Sequence, residues 1–198
     1  MAAQDGSGDL AGFRRVRRGG AAVRFATTEA QLLRALVGQV ADLLGDDQAG
    51  STGSVGSGSV SGDPLAELLG LSSNSELPDD PVLARLLPDA YRDDQDASAE
   101  FRRYTERGLR SGKAAAAQTV LDTLPEEGGE IRLSADQAQA WLRSINDVRL
   151  ALGVWLDVSE DPDEMYQQRA EQGGPQAVGL WIYDWLSFLL DTLVEALS

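Results

Sequence analysis

Apolar and polar positions along the chain follow two different periods. From residue 13 to 25 the sequence FRRVRRGGAAVRF alternates in twos on either side of Gly19-Gly20. That pattern predicts two short strands joined by a hairpin turn, where glycine tolerates a positive φ. The period then lengthens. Leu32, Leu33, Leu36, Val37, Val40 and Leu43-Leu44 recur at helical spacing, behind Thr27 or Thr28 as cap and ahead of Gly45 as terminator. Two short helices should open at Asp63-Pro64 (DPLAELLGL) and Asp80-Pro81 (PVLARLLP). In both, a carboxylate caps and proline fills the first helical position. A long helix is predicted from about Asp96 to Leu124, ending at Pro125. After the turn EEGG comes a third strand, EIRLS. Ser134 or Asp136 then caps a helix through Trp141, Leu142, Ile145, Val148, Leu152 and Trp155-Leu156. Pro162 starts another short helix, Gly173-Gly174-Pro175 breaks it, and Pro175 opens a final helix to about Leu197.

One phrase occurs twice. VRFATTEAQLLRAL and IRLSADQAQAWLRSI both read as strand, cap, amphipathic helix. Two such units plus FRRVR suggest a three-stranded sheet with helices on one face. The fold class expected is therefore mostly α, of the α+β kind: a helical domain with a small antiparallel sheet of about three short strands. Residues 1–12 read as a disordered tail, and 13–44 as the hairpin and first helix of a single domain. Residues 45–62, rich in Gly and Ser, read as a flexible loop, and 63–198 as the helical remainder of the same domain.

Charge changes the picture in one place. The chain carries a net −15, but residues 1 to 25 hold five Arg and two Asp, a local +3 that leaves −18 for the rest. A strongly acidic protein is a poor ligand for phosphate backbones, so nucleic acid is a less favoured partner. There is no Cys and no His. Disulfides, thiolate chemistry, a cysteine redox switch, zinc ligation by these residues and the commonest general base are all excluded. The most apolar stretch, AVGLWIYDWLSFLLDTLVEAL, is interrupted by Asp184, Asp191 and Glu195. The N-terminus shows no charged start followed by an apolar core of a signal peptide. No membrane association and a cytoplasmic location are expected.

The candidate sites are few. GLRSGKA, residues 108 to 114, has three residues between its glycines where a phosphate-binding loop needs four, and Ala114 where it needs Ser or Thr. An interrupted helix face explains it better. GSVGSGSVSG lacks dinucleotide-loop spacing and follows no strand. The acidic run DVSEDPDE lacks the alternation and turn glycine of a calcium loop. Asn146, Asp147 and Arg149 sit among apolar helix positions, where a hydrogen-bonded structural network is expected. No catalytic, cofactor-binding or metal-ligating residue is expected, and the protein is read as a non-enzyme.

Two basic features remain as contact surfaces. Arg14, Arg15, Arg17 and Arg18 crowd the hairpin, either to attract an acidic partner surface or to guard an edge strand against unwanted pairing. Arg103, Arg107 and Arg110 recur at helical spacing on the long helix, with Arg102 and Lys113 nearby, as a docking stripe or a solvated, partly paired face. The last helix is apolar nearly all round. It either threads the core or meets a second subunit through Trp181, Trp185 and Phe188.

LARLLPDAYRDDQDASAEFRRYTERGLRSGK (83–113) and AWLRSINDVRLALGVWLDV (140–158), with the N-terminal FRR and the final YDWLSFLLDTLVEAL, resemble an actinobacterial family. Its members are a domain of unknown function, also described as AosR-like oxidative-stress transcriptional regulators. Their gene often neighbours that of the ClpS protease adaptor. The resemblance implies a cytoplasmic regulator acting through protein contacts, with a sigma factor or RNA polymerase as partner. In that family redox sensing is tied to a closely spaced cysteine pair near the N-terminus, which this chain lacks. A DNA-binding regulator and a Clp-associated adaptor are the alternatives.

Overall fold

A computed structural model describes residues 11–17, 19–45, 80–87, 95–158 and 174–198, and for 95–107 the backbone alone. Most of the expected tail and of the Gly/Ser loop, and the helices expected at Asp63-Pro64 and Pro162, lie outside the described residues. Within them run β1 (Arg14–Arg15), β2 (Ala21–Phe25), α1 (Thr27–Gly45), α2 (Pro81–Leu86), α3 (Gln95–Thr123), β3 (Gly129–Leu133), α4 (Ala135–Trp155) and α5 (Pro175–Leu197). The expected class holds: a mostly helical fold with one small antiparallel sheet, strand order β1-β2-β3.

Registers follow the pleat. Arg14 stands opposite Ala22 and Arg15 opposite Ala21. On the other side of β2, Val23 faces Ile131 and Phe25 faces Gly129. Alternate residues Phe13, Ala21, Val23, Phe25, Ile131 and Leu133 are buried against the helices. β1 is shorter than the alternation predicts. After two ladder residues the chain turns, and Val16 N donates to Gly20 O at 3.3 Å, closing the connection. Both glycines of that turn have positive φ. Only Gly20 is hemmed in, since a Cβ there would lie 2.1 Å from the Leu133 carbonyl oxygen.

α4 is the hub, packed against α1, α2, α3 and α5. Of the two candidates for capping its start, Ser134 is the one used, in a reciprocal cap with Gln137. Gln137 N donates to Ser134 Oγ at 3.2 Å, and Ser134 N donates to Gln137 Oε1 at 2.9 Å. At α2, Asp80 caps as its Asp-Pro pair predicts, accepting from Val82 N. α1 corrects the expectation. Neither threonine caps it. Ala26 is the capping position, and Glu29 reaches back to accept from Ala26 N at 2.7 Å. Thr27 Oγ1 instead donates to Glu127 O, near the other end of the sheet. Arg34 of α1 donates through Nη2 to the Leu124 carbonyl at the end of α3, a cation placed where helix carbonyls are unsatisfied.

Four aromatic rings knit the sheet to the helices. Phe25 stacks on Trp141 at 6.0 Å between centroids, and Phe13 and Trp185 meet this pair edge-on. Trp141 is fully buried and its Nε1 donates to Thr123 Oγ1 at 2.8 Å. α5 completes the core with Leu180, Ile182, Trp185, Leu186, Leu189, Leu190 and Leu193. By length and composition α5 would qualify as a membrane span, but in this fold its buried apolar face lines the core and Asp184, Asp191 and Glu195 are exposed. Of the three residues considered for a core or a subunit contact, Trp185 is only 2% exposed and packs in the core. Trp181 is 51% exposed and stacks on Trp185, while Phe188 is half-buried.

Candidate functional site

The outer face of the sheet is built by the same alternation that builds its inner face. Residues between the core-facing positions are Arg14 on β1, Ala22 and Arg24 on β2, and Glu130 and Arg132 on β3. The registers set Arg14, Ala22 and Arg132 in one row across the three strands, and Arg24 opposite Glu130 in the next. Three guanidinium groups thus converge on one carboxylate. Arg132 Nε donates to Glu130 Oε1 at 2.9 Å, Arg14 Nη2 lies 3.3 Å from Oε1, and Arg24 Nη2 lies 3.8 Å from Oε2. The arginine side chains are 54–74% exposed. The Arg132 hydrogen bond, then its charge, and more weakly the charges of Arg14 and Arg24, hold the Glu130 carboxyl below its ordinary range, while slight desolvation works against them.

Three cations around one anion leave an excess of positive charge, held on a rigid sheet. Such a surface suits an acidic partner: further carboxylates can bind the open donor positions of guanidinium groups already held in place.

The expected contact residues divide. Arg14 belongs to this face. Arg15 is exposed but sits on the opposite pleat, at the sheet margin, and Arg17 is exposed in the turn. Neither forms an ion pair among the described residues. Arg18 lies outside the described residues. On α3 the side chains of Arg103 and Arg107 are likewise outside them, and Arg110 is half-buried and engaged with a neighbour. Lys113 does not extend that stripe. It turns inward and its Nζ meets Asp147 Oδ1 of α4 at 2.5 Å.

That pair is the main polar feature of the interior. The Asp147 side chain is 4% exposed and that of Lys113 19%. Burial pushes the Asp147 carboxyl up, and the Lys113 hydrogen bond and charge partly offset it. One turn along, Arg149 Nη2 donates to Asn146 Oδ1 at 3.2 Å and its guanidinium lies 5.8 Å from the centre of the Tyr183 ring. The expected network of Asn146, Asp147 and Arg149 is therefore two contacts, with Lys113 as the member that sequence reading missed. Also missed were Arg132 and Glu130. Their signal was present, since both alternate with the apolar Ile131 and Leu133.

Residues 10–197 match the family described as a domain of unknown function, DUF2017. The chain belongs to the DUF2017 family. Two similar proteins bear the name "Oxidative stress regulator AosR". One is from Mycobacterium tuberculosis (strain ATCC 25618 / H37Rv) and the other from Mycobacterium bovis. Each is 37% identical over 183 residues, covering 85% of this chain and 78% of the relative. No solved structure matches. The DUF2017 match spans both the arginine-bearing sheet and the α3–α4 interior pair.

Proposed function

We propose that this DUF2017 protein is a non-enzymatic cytoplasmic regulator in the stress response that acts by binding another protein through the outer face of its sheet. The partner is a sigma factor or RNA polymerase, presenting acidic side chains. The observation that carries this reading is the cluster of Arg14, Arg24 and Arg132 on a chain whose net charge is −15. The regulator names of the relatives support the biological role. With no cysteine in the chain, regulation by this protein does not run through a thiol of its own.

The test is affinity co-purification from the native host, comparing wild type with a variant in which Arg14, Arg24 and Arg132 are all replaced by Glu. Capture of a sigma factor or polymerase subunit by wild type, and its loss in the variant, is the expected result. Capture of Clp components instead, or capture indifferent to the three arginines, would sink this reading. A nucleic-acid partner would show itself differently, as direct DNA binding by the purified protein that falls steeply with salt.

A further inference from the structure

The two edges of the sheet are built differently. β1 is two residues long, both arginine, and it is flanked by α5, where Phe13 N donates to Thr192 Oγ1 at 3.1 Å. Placing β1 beside another β1 would set like charges together. Short, charged and covered, it is a protected edge. β3 carries charge too, but of both signs, in Glu130 and Arg132. It runs for five residues without proline, and among the described residues no strand pairs with its outer side. Its backbone donors and acceptors on that side form a template for another strand.

The sequence of β3, Gly-Glu-Ile-Arg-Leu, is also complementary to itself when reversed. We propose that β3 is a self-association edge, on which two copies of this chain pair antiparallel about a twofold axis through Ile131. Ile131 then lies opposite Ile131 of the second copy. Glu130 falls opposite Arg132 of the second copy, and Arg132 opposite its Glu130. Both charged pairs stand on the outer pleat, because Glu130 and Arg132 are exposed while Ile131 and Leu133 stay seated in the core. Directly opposed cross-strand residues of opposite charge stabilise an antiparallel pair, and like charges oppose it. The ladder parity is consistent, since a twofold axis through one residue brings outward-facing backbone groups of both strands together. The result is one continuous sheet with two arginine-bearing faces side by side.

This places self-association at the sheet margin and not on α5, where Trp185 is consumed by the core. Five residues on each side are fewer than in a standard interface, so the dimer should be weak and rapidly exchanging. The inference is independent of the partner reading, because it rests on the edge of the sheet and needs no acidic ligand.

Sedimentation equilibrium of the full chain, at low salt and up to millimolar concentration, tests it. Wild type should show a concentration-dependent dimer. Glu130→Arg makes both opposed pairs cationic, and Arg132→Glu makes both anionic, so each variant alone should dimerise about tenfold more weakly. An equimolar mixture of the two should recover association as a heterodimer, because every Arg then faces a Glu. The double exchange Glu130→Arg/Arg132→Glu restores the pairing within one chain and should dimerise like wild type, which covers the case of one single variant folding poorly. A monomeric wild type throughout, a dimer untouched by either substitution, or a mixture no more associated than its components would each overturn the proposal.

Discussion

At the scale of single residues, two glycines side by side have different reasons to be there. Gly19 has open space where a Cβ would go, so Gly19→Ala should cost only the left-handed backbone penalty, about 1 kcal/mol. Gly20→Ala would drive a methyl into the Leu133 carbonyl and force β2 from β3, so a loss of about 3 kcal/mol or more is expected in denaturant unfolding. The need for glycine at this turn was legible from the sequence, but the greater demand at Gly20 was not, because the obstructing strand lies more than a hundred residues further on. Lys113 and Asp147 make the same point. Each looks like an ordinary surface charge in its own helix, and only the packing of α3 on α4 buries them together. Lys113→Met should destabilise by about 3–5 kcal/mol at neutral pH, since it leaves a buried carboxylate without its counter-ion. The sign with pH follows from the raised Asp147 pKa. The folded state holds that proton to higher pH than the unfolded chain, so this group's contribution is fullest in acid and falls as pH rises through the raised value. The Lys113→Met defect should therefore shrink as pH is lowered, as chemical denaturation across pH will show. The pair replacement Lys113→Met/Asp147→Leu should cost less than Lys113→Met alone.

At the scale of elements, what the sequence disclosed best was where helices begin and end. Proline, Asp-Pro and Ser134/Gln137 act through bonds within a few residues, so local reading suffices. Ser134→Ala should lower stability by about 1 kcal/mol in thermal melts, by removing the acceptor for Gln137 N. α1 escaped that reading because its threonine hydroxyl was drawn to a carbonyl 100 residues away, and a glutamate took over the cap. α5 escaped it for another reason. Its apolar residues occupy so much of its circumference that sequence alone does not separate the core face from the outer one. The structure separates them sharply at two adjacent turns. Trp185→Ala should cost about 3–5 kcal/mol, whereas Trp181→Ala should cost about 1 kcal/mol, the worth of its stacking. Urea titrations of the two variants will show whether that contrast is real.

At the scale of the whole molecule, the charge asymmetry seen in the first 25 residues becomes a surface only when β3 joins. The hairpin arginines were readable as a group, yet Arg14 lies on the shared outer face and Arg15 does not, and Arg24 and Arg132 complete it. Periodicity along one strand tells which residues share a face. It does not tell which strands lie side by side. Glu130 tunes that face. Glu130→Gln should free its three guanidinium groups and strengthen capture of an acidic protein, with a steeper dependence on salt in titration calorimetry. Because its carboxyl titrates below the ordinary range, the ion pairs it makes favour folding above that range and are lost as pH falls through the lowered value. The Gln variant should lack this part of the acid-side decline.

The clasp between the first strand and the last helix has a consequence for how the protein is made. Phe13 N bonds to Thr192 Oγ1 across 179 positions of sequence, and β2 waits for β3, which is synthesised long after it. Contacts this distant must meet their closure entropy before any stabilisation is returned. On the ribosome, the N-terminal hairpin therefore emerges well before β3, and waits longer still for the last helix. The core closes only after α5 has emerged, and a message interrupted before β3 and α5 leaves a chain with Phe13, Val23 and Phe25 uncovered, ready for chaperones or proteases.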